Sequence, residues 1–295
     1  MSQGVEGGGS IVLRWQLAAA LKELREQAGL TQEQAVERLR AGDGRWSRSK
    51  LSRVEIREHN IKPREVEQIF AAYRISDKKK LESLRRLAAA ASEPGWWAGF
   101  SNDEVPASLR PFLSLESGLV ARRDFQSQLV PGLLQTGEYT RAVIDAVNPW
   151  MFSPVEVERR VAARMVRQQI ISKENAPQFH FILDGTILHR VVGRKSVMRD
   201  QMRKLLDVSE RENVTIQVLP HDAGGSPGLE GPFSILSLPE PTPDIGYAEG
   251  PAGTAYIEDR ARVRTLTMRF GMLAGAALSQ AESLEAIAAA AERFS

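Results

Sequence analysis

Ten residues, Trp46 to Glu55, read W-S-R-S-K-L-S-R-V-E and bring together the side chains best suited to reading a base edge. Arginine can bond a guanine at two acceptors at once, serine adapts to either partner of a base pair, and lysine is a point charge for phosphate. If the stretch is a helix, Ser47 caps it and Leu51 and Val54 face a core. Arg48, Ser49, Lys50 and Arg53 are then left on the outside. An apolar back and a basic, hydrogen-bonding front fit the major groove of DNA. The competing reading is a solvated basic face, and the flanking residues decide between them.

The residues offer little for enzyme chemistry. The histidines are His59, His180, His189 and His221, with no H-x-x-x-H pair around a glutamate. The sequence also lacks G-x-S-x-G, a P-loop and a G-x-G-x-x-G opening a helix, so no catalytic role is expected. Without cysteine there is no disulfide, thiol nucleophile or zinc finger, and no cofactor or metal is expected. His180 falls in a strand run and reads as a hydrogen-bonded sheet or core histidine. Six residues remain as a candidate ligand or partner site. Gln135, Thr136 and Tyr139 follow the P-G-L-L turn, where a turn and a helix cap explain them as well as a ligand does. His221 stands at a strand end before a Gly-rich loop. Tyr247 and Glu249 alternate with Tyr256 and Glu258 around Gly250 to Gly253, a pattern that can line a polar pocket.

The elements around the basic stretch are legible. Leu17, Ala20, Leu21, Leu24 and Ala28 recur at helical steps from Arg14, and Gly29 follows as a left-handed stop. Thr31 and Gln34 make a capping box for a second helix whose inner stripe is Ala35, Val36 and Leu39, with Gly42 ending it. Asp43, Gly44 and Arg45 turn into the basic helix. Pro63 opens a fourth helix with Val66, Ile69, Phe70 and Tyr73 inward. From Arg14 to Arg74 there are 13 basic and 9 acidic residues, with no acid between Arg45 and Arg53, so the positive charge concentrates on one helix.

The order L-x-x-L-R-x-x-A-G-L-T-Q-x-x-A followed by S-R-S-K-L-S-R-V-E resembles the lambda-repressor-like helix-turn-helix domain of xenobiotic-response-element (XRE) regulators. Leu21, Leu24, Arg25, Gly29, Leu30, Thr31, Gln32, Ala35, Ser52, Arg53 and Glu55 carry the likeness. The A-G-D-G-R-W turn is longer than that family's usual connection. The resemblance implies that Arg48, Ser49 and Arg53 face base edges, while Gln32, Ser47, Lys50 and Arg45 lie along phosphate. Glu55 reads as an intradomain ion-pair or packing residue.

Further along, Ser76 to Ala91 is expected to be a connecting helix, with Lys78-Lys79-Lys80 at its solvated start. Trp96, Trp97 and Phe100 then form an aromatic linker that packs. Leu113 to Phe125 is expected to be a helix, and helices follow from Thr136 and from Ser153-Pro154 to about Ile171. Strands are expected over 178–183, 215–219 and 233–238, with short ones near 245–247 and 254–257. Helices fall at 196–211, 260–277 and from Ser279 to Phe294. The chain is thus expected to be multi-domain: tail 1–13, all-α helix-turn-helix domain 14–75, connector 76–111, and an α+β domain with a small sheet over 112–295.

The second region resembles the C-terminal domain of WhiJ-like, antitoxin-like actinobacterial regulators. The carrying residues are F-Q-S-Q-L-V-P-G-L-L-Q-T-G-E-Y-T-R-A (Phe125 to Ala142), A-A-R-M-V-R-Q, V-G-R-K-S-V-M-R-D-Q (Val192 to Gln201), V-T-I-Q-V-L-P and G-P-F-S-I-L. The resemblance implies a small neighbouring-gene protein as partner and a role in developmental or antibiotic control.

At 295 residues and 42% hydrophobic the chain can build two cores, and 39 basic against 37 acidic residues confine any nucleic-acid footprint to a local patch. No secretory signal or ~20-residue apolar span is visible, so a cytoplasmic, nucleoid-associated protein is expected. The expected function is a sequence-specific transcriptional regulator that binds a double-stranded operator as a homodimer. Its second domain dimerises and senses a small-molecule effector or a partner protein. The alternatives are an antitoxin-like protein that neutralises a small partner, and a metabolite-binding module that controls DNA binding.

Overall fold

The computed structural model describes residues 11–42, 45–240 and 242–295. The Gly-rich tail is therefore outside the described residues up to position 10, as are Asp43 and Gly44 of the expected turn. The chain divides into two compact units, one reaching to Gly99 with Ala107–Gly118 and Pro239–Thr242, the other holding Phe100–Pro106, Leu119–Leu238 and Pro243–Ser295.

In the first unit α1 (Ile11–Gln27), α2 (Gln32–Ala41), α3 (Arg48–Glu55), α4 (Pro63–Tyr73) and α5 (Lys78–Ala90) surround one core. Leu17, Leu21 and Leu24 meet Ala35, Val36, Leu39, Leu51, Val54, Val66, Ile69, Phe70 and Tyr73 there. Both punctuation marks operate: Gly29 has φ +67°, and the Thr31–Gln34 capping box is formed. Among the described residues a Cβ at Gly29 would meet open space, so only backbone strain opposes a side chain. Gly29→Ala is thus expected to lower stability by about 1 kcal/mol, read as a shift in denaturant midpoint. An unchanged midpoint would show that the turn relaxes.

The helix expected to be a connector is part of this core. Leu84 and Ala88 of α5 are buried with the other helices, and Asp77 caps it by accepting from the Lys80 N–H at 2.9 Å. Its Leu/Ala stripe needs a partner face, and α4 and α1 supply it. Leu113 to Phe125, expected to be one helix, is not one. The helix there is α6 (Arg110–Glu116), packed against α1, and the chain then becomes a strand. Ile11 N–H donates to Ser114 Oγ at 2.6 Å, and Gly118 lies against Val12, so these residues belong with the first unit and not with the sheet. In the linker, Trp97 is buried and meets the Trp96 ring edge-on at 5.9 Å.

The second unit is a six-stranded mixed sheet in the order β3-β2-β1-β4-β5-β6. The strands are β1 (Ala121–Gln126), β2 (Gln178–Asp184), β3 (Val214–Leu219), β4 (Phe233–Ser237), β5 (Ile245–Gly250) and β6 (Gly253–Ile257). β1, β2 and β3 are parallel, and the β1-β4-β5-β6 pairings are antiparallel. The helices are α7 (Gly137–Val147), α8 (Pro154–Gln168), α9 (Lys195–Ser209), α10 (Arg260–Ala276) and α11 (Gln280–Arg293). An all-α unit followed by an α+β unit is the fold class expected from the sequence.

Alternation along the strands divides the packing. Phe179, Phe181, Leu183, Ile216 and Val218 face Tyr139, Met198, Met202, Leu205 and Ile287 on α7, α9 and α11. Phe125, Ile182, Phe233 and Ile235 face Leu266, Phe270 and Leu273 on α10. The final helix therefore directs Ile287 and Ala290 into the core.

Candidate nucleic-acid interface

α3 is placed by its back and its two ends. Leu51 and Val54 are buried, and Ser47 Oγ accepts from the Lys50 N–H at 3.1 Å, which fixes the first turn. Before it, Trp46 is buried. Its Nε1–H donates to Gln68 Oε1 at 2.9 Å, and its carbonyl accepts from Arg40 Nε at 2.8 Å. Lys50 pairs with Glu65 of α4 and lies 4.5 Å from the Trp46 ring centroid. Burial pushes the Glu65 carboxyl up, but the bonds from Lys50 and the Lys62 N–H outweigh it and hold the group below its ordinary range. A carboxylate held down in this way contributes stability above its unfolded pKa and loses that contribution as pH falls through the folded one.

The far end is held by Glu55. Arg25 of α1 donates to it through Nε at 2.6 Å and Nη2 at 3.1 Å, and Gln32 Nε2 adds a bond at 2.8 Å. Arg25 Nη1 also donates to the Leu30 carbonyl at 2.7 Å, so one guanidinium ties α1, the turn before α2 and the end of α3. The Glu55 bond raises the Arg25 pKa above its ordinary value, against the effect of burial, and the charge is permanent. Glu55 is thus the intradomain ion-pair residue its place in the sequence suggested.

The remaining face is open. Arg45, Arg48, Ser49 and Arg53 are exposed, while Ser47 and Gln32 are partly covered. The Arg48 side chain is 72% exposed and its Nε lies 2.9 Å from Glu33 Oε1 on α2. Arg53 Nε approaches its own helix at Ser49 O, 3.4 Å away. The guanidiniums and Ser49 therefore share one surface, whereas the Lys50 cation and the Gln32 amide are engaged inside the unit. Sequence reasoning missed Glu33. Its signal was present, since an acid in the first turn of the helix before the basic one is placed to hold an arginine.

Residues 16–91 match the family described as a helix-turn-helix domain, and residues 109–289, more than half of the chain, match the domain of unknown function DUF5753. The chain belongs to the DUF5753 family. No curated protein and no solved structure matches it. The helix-turn-helix match makes the first unit a DNA-binding domain, and its span takes in α5 as well as the helices read from sequence. No helix among the described residues is long and apolar enough to cross a membrane.

Within the DUF5753 domain the other candidate residues separate into three groups. Thr136 and Tyr139 are structural: Thr136 Oγ1 accepts from the Tyr139 N–H at 3.1 Å to cap α7, and the Tyr139 ring is buried with its hydroxyl accepting from the Val130 N–H at 3.3 Å. His221 is exposed beside His189, ring centroids 5.3 Å apart, at the ends of β2 and β3. Burial, Arg293 and His221 lower the His189 pKa, in that order. His180 bonds Gln217 at 2.7 Å and meets the Phe270 ring edge-on, as a sheet histidine would.

Gln135, Tyr247 and Glu249 form the third group. Gln135 is buried; its amide donates to Val130 O at 2.7 Å, and its Oε1 accepts from Thr140 at 3.0 Å and from Arg164 Nη1 at 2.7 Å. Tyr247 Oη donates to Glu249 Oε2 at 3.2 Å, and Glu249 acts electrostatically on Arg164. Arg164, which sequence reasoning passed over inside A-A-R-M-V-R-Q, connects them.

Proposed function

We propose that this chain is a sequence-specific transcriptional regulator of the XRE type, whose α3 enters the major groove and whose DUF5753 domain dimerises and receives a signal. The observation that carries the reading is the exposed Arg48, Ser49 and Arg53 surface on a capped helix with a buried apolar back. Arg48 and Arg53 read base edges, Ser49 adapts to them, and Arg45 and the N-terminus of α3 at Ser47 lie along phosphate. Lys50 and Gln32 act first by holding α3, since their polar ends are bonded within the domain. One short helix makes few base contacts, so a homodimer on half-sites about 34 Å apart is the form that binds an operator. The reading gives the DUF5753 domain a regulatory and not a catalytic role. The protein acts where the chromosome is, in the cytoplasm.

A genome-wide binding footprint, followed by titration of the best site and of random DNA at two salt concentrations, tests this reading. A palindromic site bound at least ~10³-fold more tightly than random DNA is expected. Weak binding that collapses with salt equally on every sequence would reject it. Glu33 supplies a second check. It sits beside Arg48 and adds negative charge where phosphate approaches. Glu33→Gln is therefore expected to tighten binding roughly two- to threefold, most clearly at low salt, in the same titration. Unchanged or weaker binding would place Arg48 away from the DNA.

A further inference from the structure

One face of the DUF5753 sheet changes character at its middle. Asp124, Ser234, Tyr247 and Tyr256 are successive cross-strand partners on β1, β4, β5 and β6, so four polar side chains form one row. On the other side of Asp124 the same row continues as Phe181 and Ile216, which are core. The apolar half is covered by α7, α9 and α11. The polar half carries a network of its own. Arg122 Nη2 donates to Asp124 Oδ2 at 2.5 Å, Ser234 Oγ donates to Asp124 Oδ1 at 3.0 Å, and Gln126 Nε2 adds a bond at 2.8 Å.

Glu249, bonded to Tyr247 of this row, acts electrostatically on Arg164 of α8. Arg160, Arg164 and Arg167 fall on one stripe of the helix, and all are partly covered. A Cβ at Gly132 would lie 3.5 Å from Arg167 Nη1 and 3.9 Å from Arg164 Nε, so two guanidiniums converge over the P-G-L-L turn. The Arg160 guanidinium is stacked 3.8 Å from the Phe152 ring centroid, and its Nε is buried without a hydrogen-bond partner among the described residues. Among the described residues Arg164 bonds only Gln135 Oε1, although a guanidinium has five N–H donors. Burial first, and then Arg167, lower the Arg164 pKa to about 10; Glu249 opposes them and Arg160 adds to them. The group stays protonated at neutral pH, with the charges of Arg160 and Arg167 beside it. On the sheet side, the Tyr256 hydroxyl is buried with no hydrogen-bond partner among the described residues, and the field of Glu249 reaches it as well as Arg164.

We infer that Arg160 and Arg164 of α8, with Gln135, Glu249 and Tyr256, form a binding site for a small organic anion. Its carboxylate or phosphate group would lie on the guanidiniums. A hydroxyl or amine on the same molecule would bond Glu249, and the Tyr256 hydroxyl would gain an acceptor. A guanidinium that only filled space would have its donors bonded in the fold, as Arg25 does. Carboxylate and phosphate offer two oxygens at the spacing of the arginine fork, which chloride does not. The inference gives chemistry to the signal in the proposed function; the site itself stands without it, and only a coupling to DNA rests on that reading.

Calorimetric titration of the full chain with citrate and with inorganic phosphate, at an ionic strength held constant with chloride, tests it. Saturable binding of at least one of the two is expected, and which one saturates separates carboxylate from phosphate recognition. Arg160→Gln and Arg164→Lys should each weaken it at least tenfold, the latter because lysine keeps the charge and loses the fork. Tyr256→Phe, which keeps the ring, should weaken it severalfold even if an arginine variant folds poorly. An Arg48→Ala, Arg53→Ala double variant should bind the anion as the natural chain does, which separates this site from phosphate held by α3. Absence of saturable binding for both anions would overturn the inference, as would binding that survives the α8 and Tyr256 changes or disappears with Arg48 and Arg53. Operator titrations of the same variants report on DNA reading separately.

Discussion

Glu55→Ala is expected to destabilise the DNA-binding domain by about 3–5 kcal/mol, a large share of the stability of an ordinary domain. The carboxylate is 4% exposed and meets a guanidinium that is 11% exposed, so removing it leaves Arg25 a buried cation with only the exposed Glu26, 3.5 Å away, as counter-charge. The Gln32 amide loses its acceptor in the same step. Denaturant unfolding followed by circular dichroism measures the loss. The double variant Arg25→Met, Glu55→Leu should recover most of it, because a buried ion pair contributes little beyond apolar residues of similar volume. If Glu55→Ala lost less than about 1 kcal/mol, the pair would be behaving as an exposed one, and the clamp between α1 and α3 would not position α3.

Arg48→Ala should leave the fold intact and change what the protein recognises. The side chain is 72% exposed and its partner Glu33 is exposed too, so stability should hardly move. On the operator, loss of a bidentate guanine contact is expected to weaken binding by about 1–3 kcal/mol at one base position, with binding to random DNA reduced far less. Competition titrations against operators mutated at single positions check this: discrimination should vanish at one position and persist at the others. Equal weakening on operator and random DNA would make Arg48 a phosphate contact and transfer base reading to Arg53 and Ser49.

Much of the first unit was legible because its signals are local. A capping box, a left-handed glycine, an N-terminal proline and the apolar stripes of α1 to α4 each act over a few residues, and each is formed. The exposed arginines of α3 follow from the same stripe arithmetic. The strands β2, β3 and β4 were also visible, since they are apolar runs with β-branched or aromatic residues. β1 was not. A-R-R-D-F-Q has three charged residues among its six, and it continues the spacing of the helix before it. Bonds from Ser234 of β4 and from Arg122 and Gln126 to the Asp124 carboxylate, and from Arg123 to Asp244, let a strand of that composition lie in the middle of a sheet.

The candidate sites divide in the same way. By itself the sequence determined which helix carries the basic face, because helix periodicity and capping assign inside and outside without knowledge of the rest of the chain. It also determined that Thr136 caps a helix and that an α+β region follows an all-α one. Only the tertiary structure decided that Glu55 and Glu65 hold α3 in place and that Lys50 turns inward to Glu65. It also decided that Gln135 and Glu249, far apart in the chain, both act on Arg164. Those relations depend on which strand lies beside which and on which helix crosses them, and pairings between distant residues are set by the packing of whole elements and not by any local pattern.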